Sequence, residues 1–154
     1  MSDAQFVKVR YKLTEKVAQA GGMTAGMASE RAGRELKAQR EEAHHALGTM
    51  LGGLEAMNRE RSAQPTDVYD AATQMVDIAG LFDMKSFCDA AYSLSELTDR
   101  LRNHGRQDWA SIGVHINALR LIWTRDEDGS AEVKAMVDGL WALTDRALEK
   151  PPSA

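Results

Sequence analysis

The sequence predicts an all-α protein, an antiparallel helical bundle with one long N-terminal helix. Three observations carry this expectation. Apolar residues recur at helical spacing in one long stretch and four shorter ones. The breaks between these stretches are short and rich in Gly, Pro, Asp and Ser. Aromatic residues are only 6% while Met is frequent at 8 residues, a mixture that suits helices better than a sandwich or barrel. With 154 residues and 44% apolar content, the chain has the size and the core material of one domain. We place that single helical-bundle domain at residues 23–150, between an arm (1–22) and a tail (151–154).

In the arm, Phe6, Val7, Val9, Tyr11 and Leu13 are interleaved with Lys8, Arg10 and Lys12. The alternation is strand-like, but no second strand is present to pair with it, so the segment reads as extended or flexible. Gly21-Gly22 closes it. Residues 24–61 follow as one long helix. Leu36, Ala43, Met50 and Met57 repeat every seventh position, and Leu47 and Leu54 fall four residues after two of them. This heptad-like stripe makes a homodimer through residues 24–61 one structural expectation. Gly48, Gly52 and Gly53 each weaken the helix by about 1 kcal/mol relative to Ala. Either these small residues let a partner helix approach closely, or Gly52-Gly53 bends or ends the helix. Glu30/Arg34, Arg31/Glu35 and Lys37/Glu41 line the wet face, and His44-His45 point toward solvent.

The linker Ser62-Ala63-Gln64-Pro65-Thr66 leads to a helix at 67–82, capped by Thr66 or Asp67. Val68, Ala71, Ala72, Met75, Ile78, Ala79 and Phe82 share one face, and Asp70, Thr73, Gln74 and Asp77 the other. A turn at Asp83 opens helix 85–103, which Asn103-His104-Gly105 stops. Asp108 caps helix 109–124, with Trp109, Ile112, Ile116, Leu119 and Trp123 as its stripe. Ser130 caps the last helix, with Val133, Met136, Val137, Leu140, Thr144 and Ala147 inward. Pro151-Pro152 ends it.

Composition excludes several functions. A net charge of −4, without a Lys/Arg cluster in the domain, argues against nucleic-acid binding. No run of 18 apolar residues suggests membrane insertion, and no secretory signal opens the chain, so a cytoplasmic location is expected. The single Cys88 excludes an internal disulfide and a cysteine-based zinc site. Adjacent His44 and His45 point about 100° apart and do not chelate one metal. Asp126-Glu127-Asp128-Gly129 lacks the closing Glu of a calcium loop, since Val137 occupies the twelfth position. No phosphate loop or nucleophile elbow is present, so neither a catalytic residue, a metal nor a cofactor is expected. His115, on the flank of its helix, is a possible phospho-acceptor.

The segment Tyr69–Met84 resembles the central helix of histidine phosphotransfer domains. There, an alanine-rich amphipathic helix and a short turn lead into a second helix, as Leu81-Phe82-Asp83 and Ser93-Leu94-Ser95-Glu96-Leu97 do here. Residues 9–22 and His115-Ile116-Asn117-Ala118-Leu119-Arg120 resemble parts of small helical proteins encoded in alphaproteobacterial chemotaxis clusters. The likeness spans residues 7–123. It implies a phosphotransfer-like hairpin and a partner that is a response-regulator receiver or a histidine kinase. The departures are chemical. Thr73, or Gln74 one register later, stands where the family carries its phospho-accepting His; Val76 and Asp77 replace the following Lys and Gly. The expectation is therefore a non-catalytic signalling adaptor, binding its partner through Asp70, Thr73, Gln74 and Asp77. The alternatives are an active phosphotransfer protein using His115 or the tandem histidines, and a homo-oligomerising structural protein.

Overall fold

A computed structural model describes residues 23–125, 129–147 and 149. The arm, the Asp126-Glu127-Asp128 turn and the Pro151-Pro152 stop lie outside the described residues. Among those described, the chain forms helices and no strand: α1 (Ala25–Glu60), α2 (Pro65–Leu81), α3 (Lys85–Asn103), α4 (Trp109–Arg125) and α5 (Ala131–Arg146). The all-α bundle is thus the observed fold.

The chain divides into two units, Met1–Ala38 and Gln39–Ala154. In the first, Thr24 caps α1, its Oγ1 accepting the Met27 N–H at 3.2 Å, and Arg31 pairs with Glu35 at 3.1 Å. Every residue from 23 to 38 is exposed, including Leu36, the first member of the expected stripe. In the second unit the stripe of α1 that reaches the core is Ala43, Leu47, Leu51 and Leu54. Leu51 takes the place expected for Met50, because spacings of four, four and three keep a straight helix on one face. Met50 and Met57 are left half-buried. The helix runs unbroken through Gly52-Gly53.

Helix α2 begins two residues earlier than expected. Pro65 occupies the first turn, where its missing N–H is no loss. Asp67 does not precede the helix as a cap but sits inside it, its carboxylate accepting the Gln64 N–H at 2.9 Å. The α2–α3 turn places Asp83 in the left-handed region (φ 57°), which Asp tolerates, while the Met84 N–H reaches back to the Ala79 carbonyl at 3.0 Å. The end of α3 closes in the same way. Gly105 (φ 61°) lets the Arg106 N–H bond the Leu101 carbonyl at 2.8 Å. Asp108 and Ser130 cap α4 and α5 as expected: they accept the Ser111 and Val133 N–H groups at 3.1 and 3.2 Å.

Helix α3 packs against α2, α4 and α5. Its face of Phe87, Ala90, Ala91, Leu94, Leu97 and Leu101 is buried. Each fully buried Leu contributes about 1.5–3 kcal/mol of transfer free energy. The α2–α3 hairpin is antiparallel, with Arg102 lying 5.2 Å over the Tyr69 ring at one end and the Cys88 thiol 3.6 Å from the Val76 carbonyl toward the other. Helices α1 and α4 are held by a reciprocal clasp. The Trp123 indole N–H donates to the His44 carbonyl at 2.8 Å, and His44 Nε2 lies 3.2 Å from the Trp123 carbonyl. The two rings stack at 4.6 Å. His44 is therefore half-buried in an interface, a correction to its expected place on the wet face; His45 is exposed. Arg120 adds a two-bond pair to Glu55 at 2.7 and 2.9 Å, which holds that carboxyl below its usual range.

Gly48 makes the clasp possible, because a Cβ there would lie 2.6 Å from Trp123 Cζ2. Gly48→Ala is expected to lower stability by about 1–3 kcal/mol despite alanine's better helix propensity. Gly52 faces open space, so Gly52→Ala is expected to raise stability by up to ~1 kcal/mol. Urea unfolding of the two variants checks the opposite signs; stabilisation by both would contradict the clasp.

Candidate functional site

The four residues singled out on α2 fall on one strip. Asp70, Gln74 and Asp77 are exposed, and Thr73 is half-buried. The Thr73 hydroxyl is turned back onto its own helix, donating to the Tyr69 carbonyl at 2.9 Å. The strip is acidic. Helix α2 carries Asp67, Asp70 and Asp77 but no Lys or Arg. Among the described residues no cation pairs with Asp70 or Asp77. Leu81, at the end of the strip, is 79% exposed. Beside the strip lies an open groove of about 380 Å³ between α1 and α2, and Gln74 belongs to both. The sequence reading missed this groove. Its signal was Gly53 flanked by Met50 and Met57, which the heptad pattern had absorbed into the stripe.

His115 is not on the strip. The sequence placed it on the flank of its helix; the structure seals it in the core with no exposed surface. Its Nδ1 lies 2.9 Å from the Ser111 carbonyl, a group that only accepts, so Nδ1 carries the proton. Nε2 is then the acceptor, with the Ser93 and Thr144 hydroxyls at 3.0 and 3.2 Å. These hydroxyls are 3.0 Å from each other, and Thr144 also reaches the Ser93 carbonyl at 3.4 Å. One hydroxyl donates to Nε2 and the other donates onward, so every buried polar atom of the knot is satisfied. Ser93 beside His115 has the spacing of a nucleophile and its base. Both are fully enclosed, however, and the third partner of the imidazole is a backbone carbonyl. Both ring nitrogens are hydrogen-bonded inside this enclosure. Burial depresses the His115 pKa, opposed by the bond to Ser111.

The remaining candidates are dispersed. His104 ends α3, its Nδ1 2.9 Å from the Arg100 carbonyl. Cys88 is half-buried, and burial, aided by Asp89 and Asp77, pushes its thiol pKa up, away from the reactive thiolate. Among the described residues no group of His, Cys, Asp and Glu is placed to hold a metal ion. No described helix is long and apolar enough to cross a membrane. No protein-family model matches the chain, and no curated protein or solved structure is detectably similar to it.

The neutral knot makes stability depend on pH. The ordinary His value is 6.5, and the folded value lies below it. As pH falls below 6.5 the unfolded chain takes up a proton that the folded core refuses. The stabilisation is therefore complete above that pH and declines beneath it. Urea midpoints at neutral and acid pH should show a larger acid loss in the wild type than in His115→Met; an equal loss would refute the neutral imidazole. Ser93→Ala, which removes the nearer hydroxyl from Nε2, is expected to destabilise by about 1–3 kcal/mol at pH 7.

Proposed function

We propose that this chain is a non-catalytic signalling adaptor of a bacterial two-component or chemotaxis pathway. It holds a response-regulator receiver or a histidine kinase through the exposed strip of α2. One observation carries the reading: Asp70, Gln74 and Asp77 stand together on an exposed acidic face of a two-helix hairpin, at the register where the resemblance places a phospho-acceptor. The acceptor position itself holds Thr73 or Gln74, which have no imidazole, and His115 is enclosed. A scaffold and its chemistry are separable, so a hairpin without the acceptor still presents a binding surface. The charge of the strip also constrains the pose. Three aspartates repel the acidic pocket of a receiver, so contact falls on a neutral or basic part of the partner.

A second reading, a homodimer through residues 24–61, is favoured by the exposure of Met27 and Leu36 on α1. Both readings are tested in one set of samples. Receiver domains, with and without a phosphoryl mimic, are titrated against the wild type and an Asp70→Asn/Asp77→Asn variant. Binding weakened roughly threefold to tenfold in the variant is expected. Affinity indifferent to both aspartates would show that the strip is not the docking face. Acid-labile label transferred to the chain from a phosphorylated receiver would overturn the non-catalytic reading. Light scattering reads the mass of the same samples, and a monomer would dismiss the homodimer.

A further inference from the structure

Beyond the strip itself, the groove between α1 and α2 has features of an anchor site. Its floor is Leu54, which is fully buried, and its walls are the half-buried Met50 and Met57. Gly53 leaves the α1 side as bare backbone, with nothing within 4 Å of the position a Cβ would take. Asp67 and Gln74 form the rim on the α2 side. At about 380 Å³ the groove is at the small end of ligand sites, and it opens broadly to solvent. A free small molecule would remain half-wet there. A side chain delivered by another helix would not, because the helix that carries it covers the opening. Methionine walls are flexible and polarisable and adjust to the shape of an aliphatic or aromatic insert.

Charge selects the helix. The rim and the adjoining strip carry Asp67, Asp70 and Asp77, and α2 offers no cation to offset them. We infer that this groove is the apolar anchor of the docking face, and that it takes one bulky apolar side chain from an amphipathic partner helix whose flanking residues are Lys or Arg. The inference rests on the docking face proposed above and names the chemistry of what binds there. The three aspartates select the basic flanks, and Met50, Leu54 and Met57 receive the anchor.

Gly53→Leu supplies the test, because its Cβ meets nothing within 4 Å, its side chain takes up space in the groove, and Leu favours the helix over Gly. Gly52→Leu, one residue away and equally unobstructed, is the control. The probe is a labelled synthetic amphipathic helix with Phe and Leu on one face and Lys on the other, titrated by fluorescence polarisation against the full chain. Companion peptides carry Glu for Lys, or Ala for Phe. The wild type and Gly52→Leu are expected to bind the lysine peptide alike, and Gly53→Leu to lose about tenfold in affinity. The glutamate and alanine peptides are expected to bind at least about tenfold more weakly than the parent. Equal binding by Gly53→Leu and the wild type would overturn the groove. If Asp70→Asn/Asp77→Asn still weakened the peptide, the docking face would stand while the groove fell. Indifference to all these changes, or no binding to the wild type, would remove both. Self-association of the wild type that Gly53→Leu abolishes would assign the groove to a second copy of the chain and overturn the inference.

Discussion

A buried imidazole must have both nitrogens satisfied, and His115 meets that requirement only if three helices stand in one arrangement. Its own helix supplies the Ser111 carbonyl, α3 supplies Ser93 and α5 supplies Thr144. Rotating α3 or α5 by one side-chain position would withdraw a hydroxyl and leave a polar atom stranded in an apolar core. Ser111 is itself fixed, because Asp108 accepts both its N–H and its hydroxyl, at 3.1 and 2.7 Å. The cap of α4, the knot and the rotation of α3 are thus linked in series. Since α2 packs on α3, this rotation in turn decides which residues of α2 face water. The same α4 meets α1 on its other flank, through the Trp123–His44 clasp and the Arg120–Glu55 pair.

Helical periodicity was enough to read the architecture, because apolar stripes and capping residues are local signals. Ser130, Asp108 and Gly105 act at the positions their residue types suggest. What sequence reasoning could not supply was pairing between distant residues. His44 looked solvent-facing by its place on α1; its partner Trp123 is 79 residues away. His115 looked like a boundary residue because histidine is usually polar. Its burial depends on Ser93 and Thr144, 22 and 29 residues away on other helices. The α2 strip was legible, since exposure of Asp70, Gln74 and Asp77 follows from one helix's own pattern. The groove was not, since it depends on where α1 lies beside α2.

The buried imidazole and the exposed strip therefore occupy separate places in this fold. The imidazole with the best-defined partners is locked away as a structural element. The exposed strip of α2 is acidic, mixed with apolar positions, and carries no imidazole. In the proposed docking the aspartates would steer and select, while Met50 and Met57 would supply area that adapts to the partner. This combination is what the proposed adaptor role would use.

The most direct measurement is chemical-shift mapping of the isotope-labelled full chain, titrated with the receiver domain that binds it best. Perturbed amides are expected along residues 67–81 of α2 and around Met50–Met57 of α1, with the imidazole signals of His115 unmoved. Perturbations confined to α4 and α5, with the α2 strip silent, would contradict it.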